Sequence, residues 1–280
     1  MSKRRILTTA FKFKYNDSPR ITWWLKDESL IPVARSITKT VRNITDHALQ
    51  PDTKIFKLNE RKAVFRVELS HTNGQVFVAK AFFLNRLEHK LKYHRYGLDE
   101  VANLLKAADE GINTPGVYGY GHIYSRLRLV KASVIILEDL PGLSPIKNLL
   151  LKATDTERQE IFMRTTPLFI SLYNAGCNHI DVNGGNVMLC ERNLNPAAFL
   201  LDFQHAKFHD RPSSEILMFE AGHFAKACRN WISTETINEW LDKLLTAVAI
   251  SCIAERQKMI ESFNYYFVAE LSRKQRKTLT

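Results

Sequence analysis

A segment just past the middle of the chain places side chains at the spacing that phosphoryl transfer requires. His179 stands two residues before Asp181, Asn186 follows five residues later, and Asp202 comes sixteen residues after that, directly behind the apolar run 197–201. An aspartate can orient an acceptor hydroxyl and accept its proton, and Mg²⁺ prefers hard oxygen ligands. The pattern therefore predicts Asp181 as the catalytic base and Asn186 and Asp202 as metal ligands, with His179 bracing the loop from behind.

Two charged residues upstream complete this set. Lys80 ends an alternating strand, and Glu100 lies on the helix that follows. The transition state of phosphoryl transfer spreads negative charge over the transferred group, so a lysine is needed to contact the α- and β-phosphates and an acid to hold that lysine. The order of these residues along the chain is that of a protein-kinase layout, with ATP and Mg²⁺ as the expected cofactors.

The elements that must position these residues run from β-rich to α-rich. Alternating segments predict strands at 55–58, 63–69 and 75–82, with Asn73-Gly74 as a hairpin turn; further strands are predicted at 116–122, 133–137, 187–189 and 199–201. Helices are predicted at 98–110 (ending at Gly111), 146–152, 156–175 and from 213 onward. The break at Pro141-Gly142 is the predicted boundary between two lobes. Together the elements predict an α+β, two-lobed, protein-kinase-like fold. Its predicted parts are an irregular or partly helical extension (1–50), an N-lobe of antiparallel sheet plus helix that binds nucleotide (51–140), and a mostly helical C-lobe with the catalytic loop and a basic tail (141–280).

The composition of the chain bears on its partners and its location in the cell. The 280 residues carry a net charge of +11, which favours anionic partners without choosing among them. The four cysteines show no zinc spacing and fit a reducing compartment. No apolar run reaches the ~20 residues that cross a bilayer. These features predict a cytoplasmic protein that is soluble or peripherally bound, with an anionic membrane surface as one candidate partner.

The blocks around these residues resemble one family. They are Phe77–Lys80, the Glu100 helix with Gly111–Pro115, Ile136–Leu140, Ala175–Asp181 and Leu201–Ala206. The chain resembles the bacterial lipopolysaccharide core kinases, which phosphorylate Kdo or heptose sugars. The resemblance implies an ATP-dependent sugar kinase with a lipopolysaccharide core or other glycosidic acceptor. It also implies a place in the cytoplasm or peripherally on the inner face of the inner membrane, and no nucleic acid as partner. It also implies an adenine-facing hinge at the backbone of Glu138 and Leu140, and an adenine site between Val64, Val78 and Met188.

The sequence departs from the protein-kinase pattern at three places. The stretch Asn59–Ala63 holds no glycine, so Arg61 or Lys62 is expected to contact phosphate through its side chain. Ile180 replaces the arginine that binds an activation-loop phosphate, and few residues separate Asp202 from the next predicted helix. The last two points favour a small or glycosidic acceptor over a protein. Two alternatives stay open: a small-molecule kinase of the aminoglycoside or choline type, and a non-catalytic pseudokinase binding module.

Overall fold

The chain folds into two compact units, described from a computed structural model. The structure describes residues 7, 9–45, 54–68, 75–92, 96–191, 197–250 and 252–279. The first unit comprises residues 1–105 and 115–140, and the second comprises residues 106–114 and 141–280. The predicted Asn73-Gly74 turn lies outside the described residues.

An antiparallel sheet of seven strands forms the first unit. In chain order its strands are β1 (Phe13–Ser18), β2 (Ile21–Leu25), β3 (Ile55–Asn59), β4 (Lys62–Glu68), β5 (Val76–Phe83), β6 (Val117–Tyr124) and β7 (Val130–Glu138). Their order across the sheet is β1-β2-β6-β7-β5-β4-β3. Three helices begin in this unit: α1 (Ile31–Thr45), α2 (Leu87–Lys92) and α3 (Tyr96–Asp109).

The two faces of this sheet have different tasks. Side chains alternate between faces along a strand, so Phe65 and Ala79 join the buried core on one side. Val64 is paired with Lys80 across β4 and β5, and Val78 lies two residues from Lys80. Val64, Val78 and Lys80 therefore share the opposite face, which is the face that the sequence assigns to nucleotide.

The sequence prediction for residues 1–50 is wrong in one respect. An irregular or partly helical segment was expected, but β1 and β2 form two strands of the sheet, and β2 pairs with β6. Trp23 is fully buried there, and its indole N–H donates to Thr38 on α1 at 3.3 Å. The alternation Ile21, Trp23, Leu25 is a strand pattern, but it is too short to stand out from a helical one.

The second unit is mostly helical. Its helices are α4 (Ile146–Lys152), α5 (Asp155–Met163), α6 (Thr166–Asn174), α7 (Ser214–Cys228), α8 (Thr234–Ala247), α9 (Ile253–Val268) and α10 (Arg273–Lys277). Its short strands are β8 (Leu143–Pro145), β9 (Cys177–Asn178), β10 (Val187–Cys190), β11 (Phe199–Leu200) and β12 (Lys207–Phe208). A buried aromatic cluster joins four of the helices: Phe162, Phe169, Phe224 and Trp240, with ring centres 5.0–6.1 Å apart.

Most of the predicted elements are confirmed within one to three residues. The predicted helix at 156–175 is in fact two helices, because the chain turns at Arg164 and Thr165 before α6 begins with Pro167 in its first turn. Gly111 has the positive φ (77°) of a helix stop, as predicted. No helix among the described residues combines the length and apolarity needed to cross a membrane. Cys177 and Cys228 are buried, whereas Cys252 is exposed.

Candidate active site

In the first unit, Lys80 and Glu100 form a buried ion pair. The Lys80 side chain is 6% exposed and the Glu100 side chain 1%, and the Lys80 ammonium contacts Glu100 Oε1 directly. A lone charge at this depth would lose several kcal/mol of hydration. Each side chain therefore needs the other, and the pair fixes the Lys80 ammonium between β5 and α3.

The predicted hinge lies at the end of β7. The Glu138 N–H donates to the Gly116 carbonyl at 2.8 Å, and the Glu138 carboxylate accepts from the Gly116 N–H at 2.9 Å. Asp139 pairs with Arg66 of β4 at 3.3 Å. Leu140 is half-buried and is the last residue of the first unit. These contacts tie the end of β7 to Gly116, just before β6, and tie Asp139 to β4.

The glycine-free turn between β3 and β4 is closed by a side chain. Asn59 Oδ1 accepts from the backbone N–H groups of Arg61 and Lys62, at 3.0 and 2.9 Å. Asn85 donates to the Glu60 carbonyl at 2.9 Å on the other side of the turn. Two N–H groups that a Gly-rich loop would offer to phosphate are thus already bonded. The exposed side chain of Arg61 is a further group that can contact an anion at this turn.

In the second unit, Asp181 is held by two asparagines. Asn183 Nδ2 lies 3.1 Å from the Asp181 carbonyl and 3.2 Å from its Oδ1. Asn186 Nδ2 donates to the same carbonyl at 2.9 Å. The Asn186 carbonyl in turn accepts from the Leu201 N–H at 3.0 Å, and Leu201 directly precedes Asp202. The structure therefore links three of the predicted site residues, Asp181, Asn186 and Asp202, through one short network.

His179 lies behind this network. It is 1% exposed, its Nε2 is 3.0 Å from the Leu201 carbonyl, and its ring packs edge-on against Phe203 at 4.7 Å between centres. Asp202 itself adopts a left-handed conformation (φ 66°, ψ 53°), which is uncommon for a residue other than glycine. Met188 is half-buried on β10, where it pairs with Phe199 and Pro145.

Ile180 has the most strained backbone of the loop. Its φ is 65°, and a β-branched residue at positive φ is a genuine outlier. Both of its backbone groups are fixed: the N–H donates to Glu220 Oε1 at 2.7 Å, and the carbonyl accepts from Arg276 Nη1 at 3.0 Å. Strain of this kind costs roughly 1–3 kcal/mol and persists where the surroundings over-determine it. Glu220 on α7 and Arg276 on α10 supply that constraint.

Arg276 also reaches the predicted base. Its Nη1 lies 3.5 Å from Asp181 Oδ1 and 3.2 Å from His223 Nε2, and His223 Nε2 lies 3.9 Å from the same carboxylate oxygen. Burial raises the pKa of Asp181, but His223, Asn183 and the positive charges of His179 and Arg276 outweigh burial and bring the pKa below its usual 3.8. Asp181 is therefore ionised at neutral pH, as a base must be.

Glu220 differs from Asp181 in this respect. It is fully buried in α7, and burial raises its pKa to about 8, although the backbone N–H groups of Ile180, His179 and Val182 act in the opposite direction. Its carboxyl group therefore carries a proton at neutral pH and holds the loop as a hydrogen-bonding group. Sequence reasoning missed both Glu220 and Arg276. One signal was available for Glu220: it is an acid within the apolar run 216–222 of a helix.

Comparison with known proteins identifies the family. The model of the lipopolysaccharide kinase (Kdo/WaaP) family matches residues 63–215. The chain belongs to this family. It is accordingly an ATP-dependent phosphotransferase with a sugar hydroxyl as acceptor, and the predicted lipopolysaccharide core kinase resemblance is confirmed. No curated protein sequence matches the chain.

A solved structure agrees with the fold of this kinase. It is described as WaaP in complex with acyl carrier protein, and it superposes with a TM-score of 0.55 at 14% identity, over 85% of this chain and 97% of the other. Together with the antiparallel sheet and the helical second unit, the likeness confirms the predicted α+β, protein-kinase-like fold. The family match stops at residue 215, so α10 and Arg276 lie outside it.

The residues around Asp202 fit a magnesium ion. The Asn186 amide nitrogen is bonded to the Asp181 carbonyl, so the amide oxygen is the atom that this side chain can offer to a metal. No group of three or more His, Cys, Asp or Glu side chains that could hold a metal occurs in the part of the chain that the structure describes. Magnesium in kinases takes one or two carboxylates and completes its shell with phosphates and water, so an Asp–Asn donor set suffices.

Proposed function

We propose that this kinase transfers the γ-phosphate of ATP to a hydroxyl of a Kdo or heptose residue in the lipopolysaccharide core, with Asp181 as the base. The observation that carries the proposal is the state of Asp181. Its carboxylate is ionised and 39% exposed, and it sits on a loop whose strained residue Ile180 is bonded on both sides. A base must be accessible to substrate and held in place, and this carboxylate is partly exposed and is contacted by Asn183 and Arg276.

On the acceptor side, each residue of the loop has a defined task. Asp181 orients the sugar hydroxyl and takes its proton on a carboxylate oxygen as the hydroxyl oxygen attacks the γ-phosphorus of ATP, whose bond to the bridging oxygen breaks and releases ADP. Asn183 and Asn186 hold Asp181 through its carbonyl, and Asn183 also contacts its carboxylate. The amide oxygen of Asn186 and the carboxylate of Asp202 would ligate Mg²⁺. Bound Mg·ATP supplies the phosphoryl group and neutralises the charge that develops on it.

On the nucleotide side, Lys80 is the phosphate ligand and Glu100 fixes it. Val64 and Val78 share the face of the sheet that carries Lys80, and with Met188 they are proposed to line the adenine site. Backbone groups of Glu138 and Leu140 would face the adenine edge. Because Asn59 occupies the backbone N–H groups of the β3–β4 turn, Arg61 is proposed to reach the phosphates through its guanidinium.

Two features favour a sugar as the acceptor. Ile180 stands where an arginine would bind an activation-loop phosphate, and α7 begins at Ser214, only twelve residues after Asp202. Little chain is left there to dock a peptide. We place the reaction at the cytoplasmic side of the inner membrane, where basic surface residues near anionic lipid would each add roughly 1 kcal/mol to binding.

Phosphate transfer measured directly tests this proposal. Purified protein, Mg²⁺ and γ-labelled ATP are incubated with delipidated core oligosaccharide, and mass spectrometry locates the new phosphate. We expect label on a Kdo or heptose hydroxyl and none on kanamycin or choline offered at the same concentration. Transfer to kanamycin or choline alone would support the small-molecule alternative. ATP binding without transfer to any of them would support the non-catalytic one.

A further inference from the structure

The C-terminal helix brings unpaired positive charge to the catalytic loop. Asn178, fully buried one residue before His179, donates its side-chain amide to the carbonyls of Arg276 and Leu279 at 3.2 and 3.3 Å. Asn178 also pairs with Lys207 across β9 and β12. Lys207 Nζ in turn donates to the Lys277 carbonyl at 2.5 Å. Lys207 and α10 are thereby fixed beside the loop that carries Asp181.

Three cations gather at this point, and we call Lys207, Arg273 and Lys277 the C-terminal basic cluster. Elsewhere many Lys and Arg side chains pair with carboxylates, as Lys226 does with Glu270. Among the described residues no carboxylate lies within ion-pair distance of any member of the cluster. Burial and the nearby charges of Arg273 and Lys207 lower the pKa of Lys277. Like charges held together without a counter-ion form a site that an anion stabilises.

The cluster is adjacent to the proposed chemistry. Lys277 Nζ lies 3.2 Å from His205 Nδ1, and His205 lies three residues after Asp202. Burial and the charges of Lys277 and Arg273 lower the pKa of His205 to about 4, while Asp202 and Asp181 act in the opposite direction. His205 is therefore neutral and accepts from Lys277. His205 also feels the charges of both aspartates of the site, so the cluster lies within electrostatic range of them.

Arg276 itself is not available to a ligand in the same way. Its Nη1 is bonded to the Ile180 carbonyl and faces Asp181. The cluster members on the same helix behave differently, since Arg273 is exposed and Lys277 is half-buried. One helix thus offers an arginine that holds the loop, together with two cations that have no carboxylate partner among the described residues.

We propose that the C-terminal basic cluster binds an anionic substituent of the acceptor, a carboxylate or a phosphate on the sugar or its neighbour, and so directs the acceptor hydroxyl to Asp181. This inference rests on the proposed function. Kdo is a sugar acid and carries a carboxylate, and a core sugar that is already phosphorylated carries the other group. Both present oxygen atoms that Lys and Arg recognise through charge-assisted hydrogen bonds.

The test compares acceptors that carry the anion with acceptors in which it is masked. A triple variant, Lys207→Gln with Arg273→Gln and Lys277→Gln, is assayed on soluble delipidated core oligosaccharide. The same oligosaccharide is assayed after methyl esterification of its carboxylates and, separately, after removal of its phosphates. We expect the KM for the untreated acceptor to rise about 10- to 100-fold in the triple variant. Whichever treatment abolishes the difference between the two proteins identifies the anionic group.

Two further variants keep the result interpretable. Lys274→Gln removes an exposed charge from the same helix and takes part in none of these contacts, so its KM should stay within about twofold of wild type. Arg273→Gln alone changes one exposed side chain, folds if the triple variant does not, and should raise the KM about three- to tenfold.

Several results would overturn the inference. These are an equal KM increase with masked and unmasked acceptors, an equal effect of Lys274→Gln, or a KM for Mg·ATP that rises as much as that for acceptor. An effect seen only with lipid-anchored acceptor in vesicles would assign the cluster to the membrane surface instead. If the wild-type protein phosphorylates the core oligosaccharide and the KM of the triple variant is unchanged, this inference alone is refuted. If the wild-type protein phosphorylates no core oligosaccharide, the proposed function is refuted as well.

Discussion

The two units hold their charged site residues in opposite ways. In the first unit, Lys80 and Glu100 are almost completely buried and lie 20 residues apart, on β5 and α3. In the second, Asp181 is 39% exposed, and Arg276, which braces it, lies 96 residues beyond Ile180 on the C-terminal helix. A buried pair contributes to both folding and function, because neither charge tolerates loss of the other. A braced, accessible carboxylate should be tunable with little effect on folding.

The largest effect should come from the buried pair. Glu100→Ala leaves the Lys80 ammonium without its partner in the core, and we expect unfolding free energy to fall by about 3–5 kcal/mol in urea denaturation. Asp17→Ala, which breaks the exposed pair with Arg35, is the matched control and should change it by less than about 1 kcal/mol. Equal losses in the two variants would mean that burial does not distinguish the Lys80–Glu100 pair.

Next in size is the pH dependence that Glu220 imposes on the second unit. Its pKa is about 8 in the folded protein and 4.5 when unperturbed, so the folded state binds an extra proton between these values. Stability from this group is therefore full below about pH 4.5 and is lost as pH rises through 8. We expect the free energy of unfolding of Glu220→Gln to exceed that of wild type by roughly 2–4 kcal/mol at pH 9, and this difference to disappear at pH 5. A difference independent of pH would contradict the assignment.

A smaller effect is expected at the brace of Asp181. Arg276→Gln removes the bond to the Ile180 carbonyl and a charge that lowers the pKa of Asp181. We expect kcat to fall about tenfold while the KM for Mg·ATP changes little. The acidic limb of the kcat profile should move to higher pH, because the pKa of Asp181 rises. Arg276→Lys keeps the charge, so it should return the acidic limb to the wild-type pH more fully than it restores kcat. If the acidic limb of Arg276→Gln lies at the same pH as in wild type, the role of Arg276 is purely structural.

The smallest effect should be at the glycine-free turn. Arg61→Gln should raise the KM for Mg·ATP about three- to fivefold, since an exposed charge contributes up to about 1 kcal/mol. Lys57→Gln, on β3 next to the turn, is the control and should leave that KM unchanged. If the two variants behave alike, the phosphates do not depend on a side chain from this turn.

The comparison also shows what the sequence can and cannot predict. The Lys80–Glu100 contact was predictable because β5 and α3, which carry the two residues, lie close together in the sequence, and local patterns locate both elements. The pairing of Asp181 with Arg276 was not, because no local pattern connects a loop to a helix about a hundred residues away. The same holds for β1 and β2, because β2 joins the sheet by pairing with β6, a strand far along the chain, and β1 pairs with β2.

The basic tail illustrates the difference between composition and position. Its charge was visible in the sequence, and the general prediction of an anionic partner came from it. Only the structure shows that Arg276 turns toward Ile180, whereas Arg273 and Lys277 have no carboxylate partner among the described residues. A charge count cannot separate these roles, because they depend on the carbonyls of Arg276 and Leu279 being bonded to Asn178.

One measurement tests the central claim most directly: the rate of phosphate transfer from Mg·ATP to core oligosaccharide by wild type and by Asp181→Asn. The matched control is Asp210→Asn, which changes an exposed aspartate of the same unit. If Asp181 is the base, its variant should lose at least about 10²-fold in kcat while binding Mg·ATP as wild type does, and the control should keep its rate. An Asp181→Asn protein that transfers phosphate at more than a tenth of the wild-type rate would contradict the account.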